Sequence, residues 1–166
     1  VCGRRRERYP AHSIYNQMCD LEWNTPIGDT LSCGGDALFR AEALTQVGGY
    51  RDSLIAGEEP ELCLRLRRRG WRIHRLDQEM TRHDAAITSW RQWWQRTVRA
   101  GHAFAEGAWL HGASPDRHWV RETVRALLWG LWLPIGIALL AMLVDARVWL
   151  LALLYPVQWF RLAIRN

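Results

Sequence analysis

The chain has 166 residues, a formal charge of +5, a pI near 9.5 and 11 Trp. That length accommodates one domain with a sizeable core. The four cysteines, Cys2, Cys19, Cys33 and Cys63, lie far apart and show no Cys-x-x-Cys spacing, which argues against bound zinc and for reduced thiols in the cytosol. There is no Lys, so Arg supplies every permanent positive side chain, clustered at residues 4–6, 65–69 and 91–99. Such clusters suit phosphate groups or anionic lipid headgroups. No nucleic-acid-binding motif accompanies them, and no nucleic-acid partner is expected.

The chain does not begin with Met, and Val1-Cys2-Gly3 reads as the tail of a strand, so it is expected to belong to a longer protein. Arg4-Arg5-Arg6-Glu7-Arg8 reads as a solvated edge. Tyr9-Pro10 and residues 25–29 are turn signals, and between them Ile14, Met18 and Leu21 recur at roughly helical spacing. After Leu31-Ser32-Cys33, the pair Gly34-Gly35 allows a tight turn or a close backbone approach to a ligand. Residues 37–40 read as a buried strand, 41–47 as a short helix ended by Gly48-Gly49.

A second helix is expected over residues 58–69, within Gly57-Glu58-Glu59-Pro60-Glu61-Leu62-Cys63-Leu64-Arg65-Leu66-Arg67-Arg68-Arg69-Gly70-Trp71. Leu62, Cys63 and Leu66 fall on one face. The carboxylates sit at the positive end of the helix dipole and the arginines at the negative end, with Gly70 as the stop. An ionised carboxylate at such a helix mouth can accept a proton from a substrate hydroxyl. Acidic residues also favour first turns for purely structural reasons. Residues 71–76 alternate as a strand. The order is therefore strand, helix, acidic loop, helix, strand, an α/β pattern. His83 follows just beyond, where it could ligate a metal or hold a phosphate.

Thr88 or Ser89 can cap a long helix through about Glu106. Trp90, Trp93, Trp94, Thr97, Gly101 and Phe104 fall on one stripe flanked by Arg91, Arg96 and Arg99, which suits a helix lying in a membrane interface. Residues 126–144 run without a charge for about the length of a membrane span, and residues 148–160 form a second apolar run. Together, residues 126–164 read as a transmembrane hairpin after a juxtamembrane linker at 108–125. Arg121, Arg125, Arg161 and Arg165 favour cytoplasmic outer ends.

Gly34-Gly35-Asp36-Ala37-Leu38-Phe39-Arg40, Val47-Gly48-Gly49-Tyr50, Gly57-Glu58-Glu59-Pro60-Glu61-Leu62, Arg65-Leu66 and Gly70-Trp71, in that order, resemble the acceptor-side half of a family 2 glycosyltransferase of GT-A fold. The resemblance covers residues 1–107. It implies a partial GT-A-like α/β domain followed by the transmembrane hairpin. It implies inverting sugar transfer from a nucleotide-sugar donor to an acceptor hydroxyl, aided by a divalent cation (Mg²⁺ or Mn²⁺). The acceptor would be lipid-linked or a polysaccharide, and the protein would sit in the inner or plasma membrane with its catalytic part cytoplasmic.

On this resemblance Glu58-Glu59 match the family's Glu-Asp pair, with Glu59 as base. Gly34, Gly35, Asp36 and Arg96 match acceptor- or donor-binding positions, and His83 a metal ligand. Two departures stand out. The Asp-x-Asp metal motif of the nucleotide-binding half is absent. Gln92-Trp93-Trp94-Gln95-Arg96 has the residue types of the processive Gln-x-x-Arg-Trp motif without its spacing, which favours a non-processive enzyme. The competing readings are a non-enzymatic membrane module that binds lipid or a protein partner, and a metal hydrolase built on Glu59 and His83. The hydrolase lacks a second His at ligand spacing on a helix.

Overall fold

The structure, a computed structural model, describes residues 1–34 and 36–165, with side chains through Arg161. The chain divides into two compact units, Val1–Trp119 and Val120–Asn166.

The first unit is mixed α/β. Strand β1 (Cys2–Glu7) leads through a short turn to helix α1 (Ile14–Trp23), the brief strand β2 (Gly28–Asp29), helix α2 (Ala41–Val47), helix α3 (Glu58–Arg68), strand β3 (His74–His83) and helix α4 (Trp90–His111). The sheet order is β1-β3-β2, with β1 parallel and β2 antiparallel to β3.

Local chemistry sets most element ends. The Ser13 hydroxyl accepts the Asn16 N–H and caps α1. Gly48, at φ +74°, ends α2 in the left-handed region. Ser89 and Gln92 form a reciprocal capping box at the start of α4. Leu62, Cys63 and Leu66 of α3 are buried against Cys2, Cys33, Ala43 and Ile73, and this cluster is the core of the unit.

A buried carboxylate pins three helices together. Glu61 is 1% exposed and accepts hydrogen bonds from Arg65 Nε at 2.9 Å and Nη2 at 2.7 Å. Arg65 also donates to the carbonyls of Val47 at 2.5 Å and Gly49 at 2.8 Å, tying α3 to the end of α2. His111 Nε2, at the last turn of α4, lies 3.0 Å from Glu61 Oε1. Burial alone would raise the Glu61 pKa, but the Arg65 and His111 hydrogen bonds outweigh it and hold the carboxyl below its ordinary value.

Three elements differ from the expectation. Residues 37–40 form no strand: Ala37 makes one isolated bridge to Cys2, and Leu38 is 67% exposed. Strand β3 runs past Leu76 to His83, because its backbone pairs with β1 from Arg75 through His83. The arginine run, read as a solvated edge, is an ordered strand, β1, at one edge of the sheet. Alternation sends Arg4 to Asp77 and Arg6 to Asp20, while Arg5 turns to Asp36.

The second unit holds helix α5 (Val120–Leu127), a π-helical turn (Leu128–Trp132), helix α6 (Leu133–Leu143), a 3₁₀ stretch (Ala146–Leu153) and helix α7 (Leu154–Arg165). Val120–Leu143 is one run of 24 helical residues. At about 1.5 Å per residue it is long enough to cross a membrane, and it is apolar enough to do so. It begins upstream of the expected span and takes Arg121, Glu122 and Arg125 into its first turns. The expected second arm is not one helix. The 3₁₀ stretch interrupts it, and α7 has 12 residues, about 18 Å, short of a span of roughly 30 Å.

Pro134 accounts for the π turn. The Leu133 N–H reaches back to the Leu128 carbonyl. In that wider register the Trp129 carbonyl would face the nitrogen of Pro134, which has no hydrogen. The Tyr155 hydroxyl of α7 supplies the missing donor at 2.5 Å.

The core assignment makes a direct prediction. Leu66 is 1% exposed, so Leu66→Ala should cost about 2–5 kcal/mol in denaturant unfolding. The exposed Leu38→Ala should stay within about 0.5 kcal/mol of wild type.

Candidate functional site

The start of α3 is held in an unusual backbone state. Gly57 precedes the helix at φ +81°, where an added Cβ would stand 2.8 Å from the Trp119 ring and 3.0 Å from Ala103 Cβ. A Cβ on Gly107 of α4 would meet the same indole at 2.5 Å. The Trp119 ring thus fills the space that two glycines leave open, and it packs edge-on against Phe104 at 5.1 Å. Glu58 and Glu59 follow in the first turn with Pro60, whose missing N–H costs nothing there.

The two adjacent carboxylates face different surroundings. Glu59 is 8% exposed. Its Oε1 accepts the Cys33 N–H at 2.5 Å and the Cys63 thiol at 2.8 Å, and its Oε2 accepts the Gly34 N–H at 2.9 Å. Glu59 therefore clamps the Cys33-Gly34 turn from behind. Glu58 is exposed and lines an open cavity of about 720 Å³.

His83, Arg96, Arg99, Arg5 and Trp23 line the same cavity. His83 ends β3 with its ring edge-on to Trp23 at 5.4 Å. Arg96 is half-buried, bonded to Glu22 at 2.7 Å, with its guanidinium over the Trp93 ring. Arg99 donates to the Ile55 carbonyl at 2.9 Å. Arg5 lies over the Trp23 ring, grips Asp36 through Nη2 at 2.8 Å and also bonds the Gly34 carbonyl.

Of the residues expected at a site, Glu58, His83 and Arg96 meet in one cavity. Glu59, Gly34 and Asp36 do not line it; Glu59 and Arg5 connect the Gly34 turn to its wall. Glu59, expected as the base, lies against the Gly34 turn, with its oxygens accepting the Cys33 and Gly34 N–H groups and the Cys63 thiol. Gly35 lies outside the described residues. Sequence reasoning missed Arg5, Trp23 and Trp119. The arginine run gave no sign of which guanidinium turns inward, and the small residues Gly57 and Gly107 were the available sign of a large ring between them.

Beneath the turn three thiols gather. Cys33 and Cys63 lie 3.6 Å apart, and Cys2 belongs to the same buried cluster. Burial, with the neighbouring Cys33, pushes the Cys2 thiol up to about 11. Its hydrogen bond to Cys33, burial and the Glu59 carboxylate push the Cys63 thiol up too. The Cys63 hydrogen bond lowers Cys33.

The expected divalent cation finds only part of a ligand set in the cavity. Among the described residues, no group of three His, Cys, Asp or Glu side chains at ligating range includes His83; the group that exists is Cys33, Glu59 and Cys63. No protein-family model matches the chain, and no match was found among curated proteins or solved structures.

Gly57→Ala combines a left-handed backbone with a clash against Trp119 and should lower stability by about 2–4 kcal/mol. Gly48→Ala, also left-handed at φ +74° but facing open space, should cost about 1–2 kcal/mol. Denaturant unfolding of both variants measures the difference.

Proposed function

We propose that this chain carries the acceptor side of a membrane-anchored, inverting, non-processive sugar transferase that uses a nucleotide-sugar donor. The observation that carries this reading is Glu58, exposed at the N-terminus of α3, opening into a cavity also lined by Trp23, His83, Arg96 and Arg99. Each group has a use in glycosyl transfer. The indole face can stack against a sugar ring. The guanidiniums can hold diphosphate oxygens. The carboxylate can take the proton of the acceptor hydroxyl.

Glu58 takes the catalytic role in this proposal because it faces the cavity. The acceptor oxygen, relieved of its proton by Glu58, attacks the anomeric carbon from the face opposite the diphosphate. The anomeric bond to the diphosphate breaks, and the product linkage has inverted configuration. Glu59 holds the Cys33-Gly34 turn and is a positioning residue. A Mg²⁺ or Mn²⁺ ion, when bound, would offset charge on the departing diphosphate. The cavity holds His83, the expected ligand, beside the Glu58 carboxylate, and no step of the proposal runs through the ion.

The membrane setting supports a lipid-linked acceptor, with a polysaccharide as the alternative. Helix α4 leaves Trp90, Trp94, Val98 and Trp109 at least 53% exposed on an outward face, while Trp93, Ala103, Gly107 and His111 turn inward. Residues 112–119 separate α4 from the run able to cross a membrane. An outward Trp row on a helix that precedes such a run in the sequence suits the headgroup region. We place the protein in the inner or plasma membrane with this unit cytoplasmic. The same Trp face supports a second reading, a membrane module without catalysis, in which the cavity binds a lipid headgroup or a protein partner.

The test is donor turnover by the full-length gene product in detergent. Glu58→Gln should lower kcat by about 10²–10⁴-fold with donor affinity unchanged. Glu59→Gln should weaken acceptor binding and thermal stability together. Unchanged turnover in Glu58→Gln would remove Glu58 from the reaction. Wild-type protein that consumes no donor but binds anionic vesicles would favour the membrane module.

A further inference from the structure

We infer that Cys33, Cys63 and Glu59 form a buried binding site for one zinc-class divalent cation, beneath the Cys33-Gly34 turn. No Cys-x-x-Cys spacing announces it, because the ligands come from a loop and from successive turns of α3. Their candidate ligand atoms all lie within 4.8 Å of one another, and all three residues are buried.

The sulfur–sulfur edge is close to that of a tetrahedral site. Zn–S bonds of about 2.3 Å and Zn–O bonds of about 2.0 Å give edges of roughly 3.8 Å between sulfurs and roughly 3.5 Å between sulfur and oxygen. The Cys33–Cys63 edge is 3.6 Å. The Cys63–Glu59 edge is shorter, 2.8 Å, because a thiol proton bridges it. A metal replaces that proton, and the edge opens. The two thiol protons leave to solvent as the thiolates bind, so metal loading is coupled to proton release.

Charge also closes. Two thiolates and one carboxylate around a divalent cation leave a net charge of −1. The Arg75 guanidinium, buried alongside and hydrogen-bonded to the Cys33 carbonyl at 3.2 Å, balances it. The third thiol, Cys2, sits in the same buried cluster and donates to the His74 carbonyl. A metal here would staple the turn to α3, a structural role separate from the sugar chemistry proposed for the cavity above. Neither reading depends on the other.

The experiment is metal analysis of the full-length gene product, expressed with zinc and desalted. The expected result is about one zinc per chain attributable to this site, lost by roughly tenfold or more in Cys33→Ser and Cys63→Ser. Cys19→Ser, a buried thiol on α1 outside the cluster, should keep the full amount. Cobalt in place of zinc should give thiolate-to-metal absorption in the near ultraviolet in the wild type. That spectrum decides the matter if the serine variants fail to fold. Wild-type protein with neither zinc nor the cobalt absorption overturns the site. So does zinc fully retained in both serine variants, or a Cys33–Cys63 disulfide detected by mass in the freshly purified protein.

Discussion

Glu61 is a carboxylate taken out of water, and its burial is tolerable only because Arg65, His111 and Arg51 surround it. That requirement organises the first unit. Arg65 completes its own donors with two carbonyls at the end of α2, so the link between α2 and α3 has little freedom. His111 makes the last turn of α4 part of the same network, and Arg68 meets the other ring nitrogen at 3.3 Å. Removing Arg65 would take the nearest partner from a buried carboxylate and the donor from two carbonyls, a heavier loss than any surface pair here could cause.

With α3 so placed, its first turn has one side in the core and one in the open cavity. Leu62 and Cys63, three and four residues after Glu59, and Leu66, three after Cys63, share the buried face with it. Glu58, one position earlier, is rotated by about 100° and emerges beside His83 and Arg96. Helix periodicity alone therefore separates two chemically identical neighbours into a clamp and a cavity-facing carboxylate. Trp119, wedged over Gly57 and Gly107, fixes the angle at which the chain enters that turn.

The same periodicity shows how far the sequence could be read. Leu62, Cys63 and Leu66 were legible as a core face, and Glu59, three and four residues before the first two, was already on it. Its carboxylate chemistry hid that position. Ser89 as a cap, Gly48 and Gly70 as stops and the apolar run at 126–144 were legible because local chemistry determines them. Residues 37–40 were not, because a short apolar run lacks a pairing partner until the sheet is known; their backbone pairs with Val1 and Cys2 at the start of the chain, and Ala37 and Phe39 pack on the core. The length of β3 was hidden for the converse reason. Its polar second half is held by parallel backbone pairing with β1 rather than by burial. The convergence of Cys33 and Cys63, thirty residues apart, belongs to tertiary structure and had no local sign.

The account stands or falls on whether the cavity beside Glu58 handles sugar transfer. The most direct measurement is the anomeric configuration of the product formed by the full-length gene product from a panel of nucleotide-sugar donors, read by proton NMR. The account expects consumption of at least one donor and a linkage opposite in configuration to the donor's. A product with retained configuration, or folded, membrane-embedded protein that consumes no donor with any acceptor offered, would contradict it.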